Sequence, residues 1–250
     1  MMEEDDYLYE EEDYEINYEP DESDLLPQES FSIVKLDDLN NLREKIIKEF
    51  IEKTYMERDD SIIALINYKW NLDKINDDWY NDVEGNRKKF GIDVDENNSK
   101  ELEKENIEKN SNYCLICFSE FEKDPKNPNN FLKFSLKCNH NFCEECFKEY
   151  LIDKLDDYYC CLYSTCPQKG CTLKIPESLF YKFLNENPNL KKKFDKIVLR
   201  NFTENNVDIK WCPNPTDCGR CVRTDSHFNR EITCDCNYVY CFSCLREGHR

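Results

Sequence analysis

The first 113 residues contain no cysteine, because all 16 cysteines of the chain lie between Cys114 and Cys244. The chain also lacks any run of about 18 apolar residues, so no membrane-spanning helix is expected. Met1 and Met2 run directly into Glu3 and Glu4, and a basic, apolar signal peptide is therefore not expected either. These absences favour a cytoplasmic or nuclear protein, a setting in which thiols stay reduced.

A surplus of basic side chains is also missing. Residues 1–113 hold 34 acidic and 14 basic side chains, and residues 114–250 hold 19 acidic and 20 basic ones, so the net charge of −19 belongs to the N-terminal half. Nucleic-acid binding depends on a positive excess. A protein that binds nucleic acid is thus the weaker alternative, and protein partners are expected.

The N-terminal half divides into three segments. Residues 1–30 carry 14 Asp or Glu and no Lys or Arg, which predicts a disordered acidic tail that either solubilises the chain or binds a basic partner. Residues 31–92 predict a three-helix bundle, with apolar residues at helical spacing from Leu36 to Ile51, a second helix capped by Ser61, and a third that Asn71 opens and Gly85 ends. Residues 93–112 are polar and predict a linker.

The cysteines of the second half form two ladders. The first ladder runs Cys114-x2-Cys117, Cys138-x-His140, Cys143-x2-Cys146, Cys166-x4-Cys171, and the second runs Cys212-x5-Cys218, Cys234-x-Cys236, Cys241-x2-Cys244-x4-His249. Tetrahedral zinc takes four thiolate or imidazole ligands, and short Cys pairs deliver two to one ion. The first ladder predicts two complete zinc sites, and the second predicts one complete site and one that lacks a ligand. A secreted disulfide scaffold is the alternative.

The order of these ligands, with one His in a Cys-x-His pair, resembles a RING domain over residues 113–175. Residues 176–205 predict two helices separated at Asn187-Pro188, and residues 206–250, beginning near Trp211-Cys212-Pro213, resemble the in-between-RING module. This combination is similar to RING-between-RING ubiquitin ligases, and the sequence Cys-Asn-His-Asn-Phe-Cys most resembles that of the Ariadne subfamily. The expected fold is small zinc-stabilised α+β modules, preceded by a ubiquitin-associated-like helical bundle and the acidic tail. A generic zinc scaffold is the alternative.

The resemblance implies how the ligands pair. In a RING the pairs alternate between two ions, so one zinc would take Cys114, Cys117, Cys143 and Cys146, and the other Cys138, His140, Cys166 and Cys171. Four protein ligands leave no open position for water, so these ions would be structural.

The resemblance also implies a partner. Ile116 and Pro167 match the positions that dock a ubiquitin-loaded conjugating enzyme, and a core position is the alternative for Ile116. Thr172 follows the last ligand, where ordinary RINGs often carry a basic residue that favours direct transfer. A neddylated cullin is a further partner that the helical bundle implies, and a non-catalytic adaptor is the alternative function.

The family's catalytic cysteine has no match within residues 1–250, so it is expected beyond residue 250. The spare residues Cys160, Cys161 and Cys221 are weak candidates for a nucleophile. Cys241, Cys244 and His249 could be read as a three-ligand catalytic zinc site, but a further cysteine just after the chain's last residue would complete a structural site instead.

Overall fold

The computed structural model describes residues 31–94, 112–158, 160–216, 218–224 and 231–248. The predicted acidic tail, most of the predicted linker, His227 and His249 lie outside the described residues. Within the described ranges, no helix combines the length and the apolar character that a membrane crossing requires.

Seven helices and nine short strands are described. The helices are α1 (Leu36–Thr54), α2 (Arg58–Asn67), α3 (Leu72–Asp78), α4 (Val83–Lys89), α5 (Glu144–Lys154), α6 (Glu177–Leu184) and α7 (Pro188–Glu204). The strands are β1 (Phe31–Val34), β2 (Lys123–Asp124), β3 (Asn127–Phe131), β4 (Phe134–Ser135), β5 (Asn141–Phe142), β6 (Ile209–Trp211), β7 (Cys221–Thr224), β8 (Glu231–Thr233) and β9 (Val239–Cys241).

The sequence patterns predicted roles for three residues at the ends of the N-terminal helices. One of these residues has the predicted role, and the other two lie inside a helix. Asn71 caps α3, because its side-chain oxygen accepts the Lys74 N–H at 2.9 Å. Ser61, expected to cap the second helix, lies inside α2, which starts three residues earlier, and its hydroxyl donates to the Glu57 carbonyl. Gly85, expected just past the third helix, lies inside an additional helix, α4, whose Asp82 cap accepts the Gly85 N–H.

Residues 31–34, which the sequence analysis placed at the start of the helical bundle, form strand β1. This strand pairs antiparallel with β7, with Phe31 opposite Thr224 and Val34 opposite Cys221. The sheet order is β1-β7-β6. Val34 also packs against the core of the N-terminal helices, so this segment connects those helices to a sheet whose other two strands come from residues 209–224.

Helix α7 connects the hydrophobic cores. Its residues Leu199 and Phe202 pack in one core with α1, α2 and α3, and its residues Phe194, Ile197 and Val198 pack in a second core with the RING-like segment. A third core is formed by Val222 of β7, Ile232 of β8, Tyr240 of β9 and Phe242, which follows β9. Because α7 contributes to two cores, the N-terminal helices and the RING-like segment are held on one common element.

Two groups of polar contacts fasten the N-terminal helices to the rest. Arg43 on α1 forms a buried ion pair with Glu177 on α6, and its guanidinium lies 5.2 Å from the ring centre of Trp70. On α2, the buried carboxylate of Asp60 accepts from Arg87 at 2.9 Å and from Lys137 at 3.0 Å. Lys137 precedes a ligand of the first ladder, so the second group links the bundle directly to the RING-like segment.

Removing one charge of the buried Arg43–Glu177 pair should strongly destabilise the protein. Glu177→Gln leaves the buried Arg43 guanidinium with only the partly exposed Glu44 carboxylate, at 3.5 Å, so the free energy of unfolding should fall by about 3 kcal/mol in urea titrations. The double variant Arg43→Met/Glu177→Leu removes both charges and should recover most of that loss. Glu49→Gln breaks the exposed pair with Lys53 and is the control, expected to change nothing measurable. A Glu177→Gln protein as stable as the parent would contradict the assignment.

Candidate metal centres and docking loops

The first cluster brings together Cys114, Cys117, Cys143 and Cys146, whose sulfur atoms all lie within 4.8 Å of one another. Cys143 Sγ lies 3.5 Å from that of Cys114 and 3.7 Å from that of Cys117. Cys143 is the N-cap of α5 and Cys146 lies in its first turn, where the helix dipole favours thiolate charge.

The second cluster brings together Cys138, His140, Cys166 and Cys171, again with ligand atoms within 4.8 Å. The Nδ1 atom of His140 faces the cluster, at 3.2 Å from Cys138 Sγ and 3.5 Å from Cys166 Sγ. Cys138 and Cys166 are buried, and their sulfurs are 3.6 Å apart. The structure thus groups the eight side chains of the first ladder in the alternating way that the RING resemblance implies.

The third cluster comes from the second ladder and joins Cys212, Cys218, Cys234 and Cys236. Cys212 lies 3.7 Å from Cys236 and Cys218 lies 3.9 Å from Cys234, measured between sulfurs. Asn214 donates its side-chain N–H to Cys236 Sγ at 3.3 Å. Cys241 and Cys244 are described, but His249 lies outside the described residues, so the structure does not test the incomplete fourth set.

Every ligand pair of the two ladders except Cys143–Cys146, which lies at the start of α5, has a residue in the left-handed region next to one of its cysteines. Gly and Asn adopt positive φ most easily, which explains their presence beside a ligand. The residues are Phe118 (φ 59°), Asn139 (φ 60°), Gly170 (φ 80°), Gly219 (φ 66°), Asn237 (φ 63°) and Leu245 (φ 60°). The turns reverse the chain within a few residues, so both members of a pair can point to one centre.

The three clusters have the dimensions and donor chemistry of tetrahedral zinc sites. A Zn–S bond of about 2.3 Å places two ligand sulfurs about 3.8 Å apart in a tetrahedron. The sulfur–sulfur separations quoted above run from 3.5 to 3.9 Å. Thiolate and imidazole are the ligands that structural zinc prefers. No disulfide joins any of the described cysteines, so none accounts for these close approaches.

The clustered groups perturb one another's protonation. Contacts with Cys138, then Cys171, raise the pKa of His140 to about 9. Hydrogen bonds from the Ser119 backbone and side chain lower the pKa of Cys117 to about 6. Several thiolates placed this closely repel one another, and a bound cation removes that penalty.

The two residues assigned to conjugating-enzyme docking lie on ligand loops of different clusters. Ile116 lies between Cys114 and Cys117 and its side chain is 36% exposed, which excludes the alternative that it is a core residue. Its amide N–H points to Cys114 Sγ at 3.4 Å. Pro167 is half-buried and follows Cys166 of the second cluster. The neighbouring Phe118 is 75% exposed, a feature that the cysteine spacing alone does not reveal.

The spare cysteines have the wrong environment for a nucleophile. Burial raises the pKa of Cys161 and of Cys221 to about 12, and both side chains are fully buried. Cys160 is exposed, but its hydrogen bond with Asp157 raises its pKa. Among the described residues the single histidine is His140, which belongs to the second cluster. An activated thiol has a lowered pKa and a base nearby, and none of the three meets that description.

Alkylation of the native protein should rank these three thiols by exposure. Cys160 should react with iodoacetamide at least about tenfold faster than Cys161 and Cys221, because both buried thiols lack access and thiolate character. Peptide mass spectrometry over a time course measures the three rates in one sample. Rapid labelling of Cys161 or Cys221 in the folded protein would contradict the described burial and reopen the question of a reactive thiol.

Comparisons with known proteins identify an in-between-RING segment and relatives that are probable E3 ubiquitin-protein ligases. A family model described as the IBR domain, a half RING-finger domain, matches residues 192–250. The probable E3 ubiquitin-protein ligase rbrA of Dictyostelium discoideum is 30% identical over 223 residues, which cover 88% of this chain and 40% of that protein. The probable E3 ubiquitin-protein ligase ARI9 of Arabidopsis thaliana is 26% identical over 235 residues, covering 90% of this chain and 40% of that protein.

Similarity is higher over a shorter stretch. The probable E3 ubiquitin-protein ligase ARI1 of Arabidopsis thaliana is 37% identical over 79 residues, or 32% of this chain and 13% of that protein. The chain spans about two fifths of the length of the first two relatives. With two clusters in the RING-like segment and one in the in-between-RING segment, the chain is a RING-between-RING protein of the Ariadne type that corresponds to part of its relatives' length.

Proposed function

We propose that the three clusters hold structural zinc ions. The first ion would be bound by Cys114, Cys117, Cys143 and Cys146, the second by Cys138, His140, Cys166 and Cys171, and the third by Cys212, Cys218, Cys234 and Cys236. The soft donor sets and the sulfur–sulfur separations support this assignment. Cys241, Cys244 and His249 would belong to a fourth ion. Zinc bound in this way supplies folding free energy and no chemistry.

Replacing one cluster ligand should remove the ion of that cluster. Cys146→Ser should unfold the RING-like segment, because structural zinc contributes on the order of 10 kcal/mol in small domains. The zinc content in native mass spectrometry should therefore fall by at least one equivalent, and by two if the second cluster of the segment is lost as well.

The matched control is Cys160→Ser, which changes an exposed cysteine outside the clusters. This control should keep the full zinc content and the parent's thermal transition. A Cys146→Ser protein with undiminished zinc would show that the first cluster is not a metal site.

We propose that the chain acts in ubiquitin transfer by recruiting a ubiquitin-loaded conjugating enzyme through its RING-like segment. Its relatives are probable E3 ubiquitin-protein ligases, which supports this class of activity. The observation that carries the docking assignment is the exposed Ile116 side chain on the loop that the first cluster shapes. Pro167, on a ligand loop of the second cluster, would complete the contact, so both ions would have to be present for docking.

Transfer would then follow the route of this family, in which a cysteine accepts ubiquitin before a substrate amine does. The buried or poorly activated Cys160, Cys161 and Cys221 do not fit that role, so the accepting cysteine would lie beyond residue 250. Thr172 places no positive charge after the last ligand, which agrees with handover to a cysteine instead of direct transfer. Binding of the N-terminal helices to a neddylated cullin stays a prediction.

Ile116→Ala should weaken binding of the conjugating enzyme by about tenfold, since truncating one central apolar contact commonly costs 1–2 kcal/mol. Isothermal titration calorimetry with a ubiquitin-loaded conjugating enzyme measures the effect.

Val239→Ala is the matched control, because Val239 is a β-branched residue with a similar exposure of 37% and lies in the in-between-RING sheet. It should leave the affinity unchanged. If both variants bind as tightly as the parent while both stay folded, the docking assignment is wrong.

A further inference from the structure

Strand β6 is an edge strand of the three-stranded sheet. Within the ranges that the structure describes, the order β1-β7-β6 gives β6 one neighbour, β7, and leaves its other side open. Asp208 accepts from Thr224 and Cys212 donates to Arg220, so alternation along the strand directs the N–H and C=O groups of Ile209 and Trp211 away from β7. Proteins usually cover or blunt such an edge, because it is a template for another strand.

A groove of about 460 Å³ runs along this free edge. The C-terminal turn of α7 forms one wall, and the loop after β9 contributes Leu245. Val207 is 69% exposed and Leu245 is 38% exposed, and both line the groove with Trp211. An open strand edge beside apolar pockets is the arrangement by which extended peptides are bound through strand addition.

Positive charge lies along the same groove. Arg200 and Lys210 both line it, together with one acidic residue, Glu204. The Nε atom of Arg200 is buried and has no hydrogen-bond partner among the described residues. A peptide with both acidic and apolar side chains matches this combination of surfaces better than a purely apolar peptide does.

We propose that this groove binds residues 21–26 of the chain itself, Asp-Glu-Ser-Asp-Leu-Leu, as a fourth strand antiparallel to β6. The segment supplies three acidic residues and two leucines. Successive strand residues face opposite sides, so one of Leu25 and Leu26 meets the groove in either register. Pro27 cannot donate to a ladder, which ends the paired segment at Leu26.

The position of β1 makes this occupant reachable. Phe31 opposite Thr224 places the start of β1 at the same end of the sheet as Asp208 and the start of β6. A strand beyond β6 lies three strand spacings from β1, or about 14 Å. The five peptide units from Leu26 to Phe31 span about 16 Å when extended. Leu26 is therefore the last residue before β1 that can lie on the far side of β6.

The tail would then be an intramolecular ligand of the in-between-RING module. Any extended acidic peptide of another protein that used the same strand edge would have to displace it. The groove, β1 and residues 21–26 form one unit, in which the strand that anchors the tail and the edge that receives it belong to a single sheet.

Amide hydrogen exchange of the full chain tests the proposal. The edge amides of Ile209 and Trp211 should exchange slowly in the parent and at least about tenfold faster in Leu25→Asn/Leu26→Asn. The matched control is Leu8→Asn/Ile16→Asn, which makes the same kind of change in the tail and should leave both rates unchanged. A peptide of residues 19–30 added to the first variant should restore the protection.

Substitutions in the groove test the charge argument separately. Val207→Asp should abolish the protection and Val207→Lys should retain it, and neither should unfold the protein, because Val207 is exposed. Equal exchange of both amides in the parent and in Leu25→Asn/Leu26→Asn would overturn the proposal. Protection that rises with protein concentration would also overturn it, because a second copy would then be the occupant.

Discussion

The structure depends on holding four thiol or imidazole groups within 4.8 Å of one another at three places. Groups this close cannot all be ionised without a cation between them. The neighbouring backbone is organised around the same atoms, since the amides of Ile116 and Cys143 both point to Cys114 Sγ. In our account, metal binding therefore determines the shape of the loop that presents Ile116 as well as the fold of the segment.

Helix α7 gives the three regions a common support. One end packs against the RING-like core through Phe194, and the other packs against the N-terminal helices through Phe202. Trp70 donates its indole N–H to Asn201 on this helix, and the buried Arg43–Glu177 pair fixes α1 to the preceding helix. Strand β1 adds a third attachment, from the N-terminal segment to the in-between-RING sheet. The N-terminal helices thus pack against the segments that carry the ligand clusters.

The sequence predicted the local features well, because they depend on residues close together in the chain. The RING resemblance anticipated which side chains of the first ladder share a cluster, and the period from Leu36 to Ile51 anticipated α1. Asn71 was recognised as a cap from its neighbours. The two helices around Asn187-Pro188 also formed, with Asn187 capping α7 at its side-chain oxygen.

What the sequence missed depends on distant residues. Four residues at the start of the described chain carry no signal that they pair with residues 221–224. Arg43 lies on the buried face of α1, four residues from both Leu39 and Ile47, but its partner Glu177 is 134 positions away and no local pattern identifies it. Ser61 is a good cap in isolation, but packing extends α2 past it towards Arg58, which pairs with Glu44.

The most direct test of this account is to measure conjugating-enzyme binding by the same protein before and after its metal is removed and returned. Stripping the chain with a chelator should abolish binding of the ubiquitin-loaded enzyme, and adding zinc should restore it, because the docking loops would take their shape from the ions. Undiminished binding by metal-free protein would contradict the claim that the clusters organise the recruiting surface.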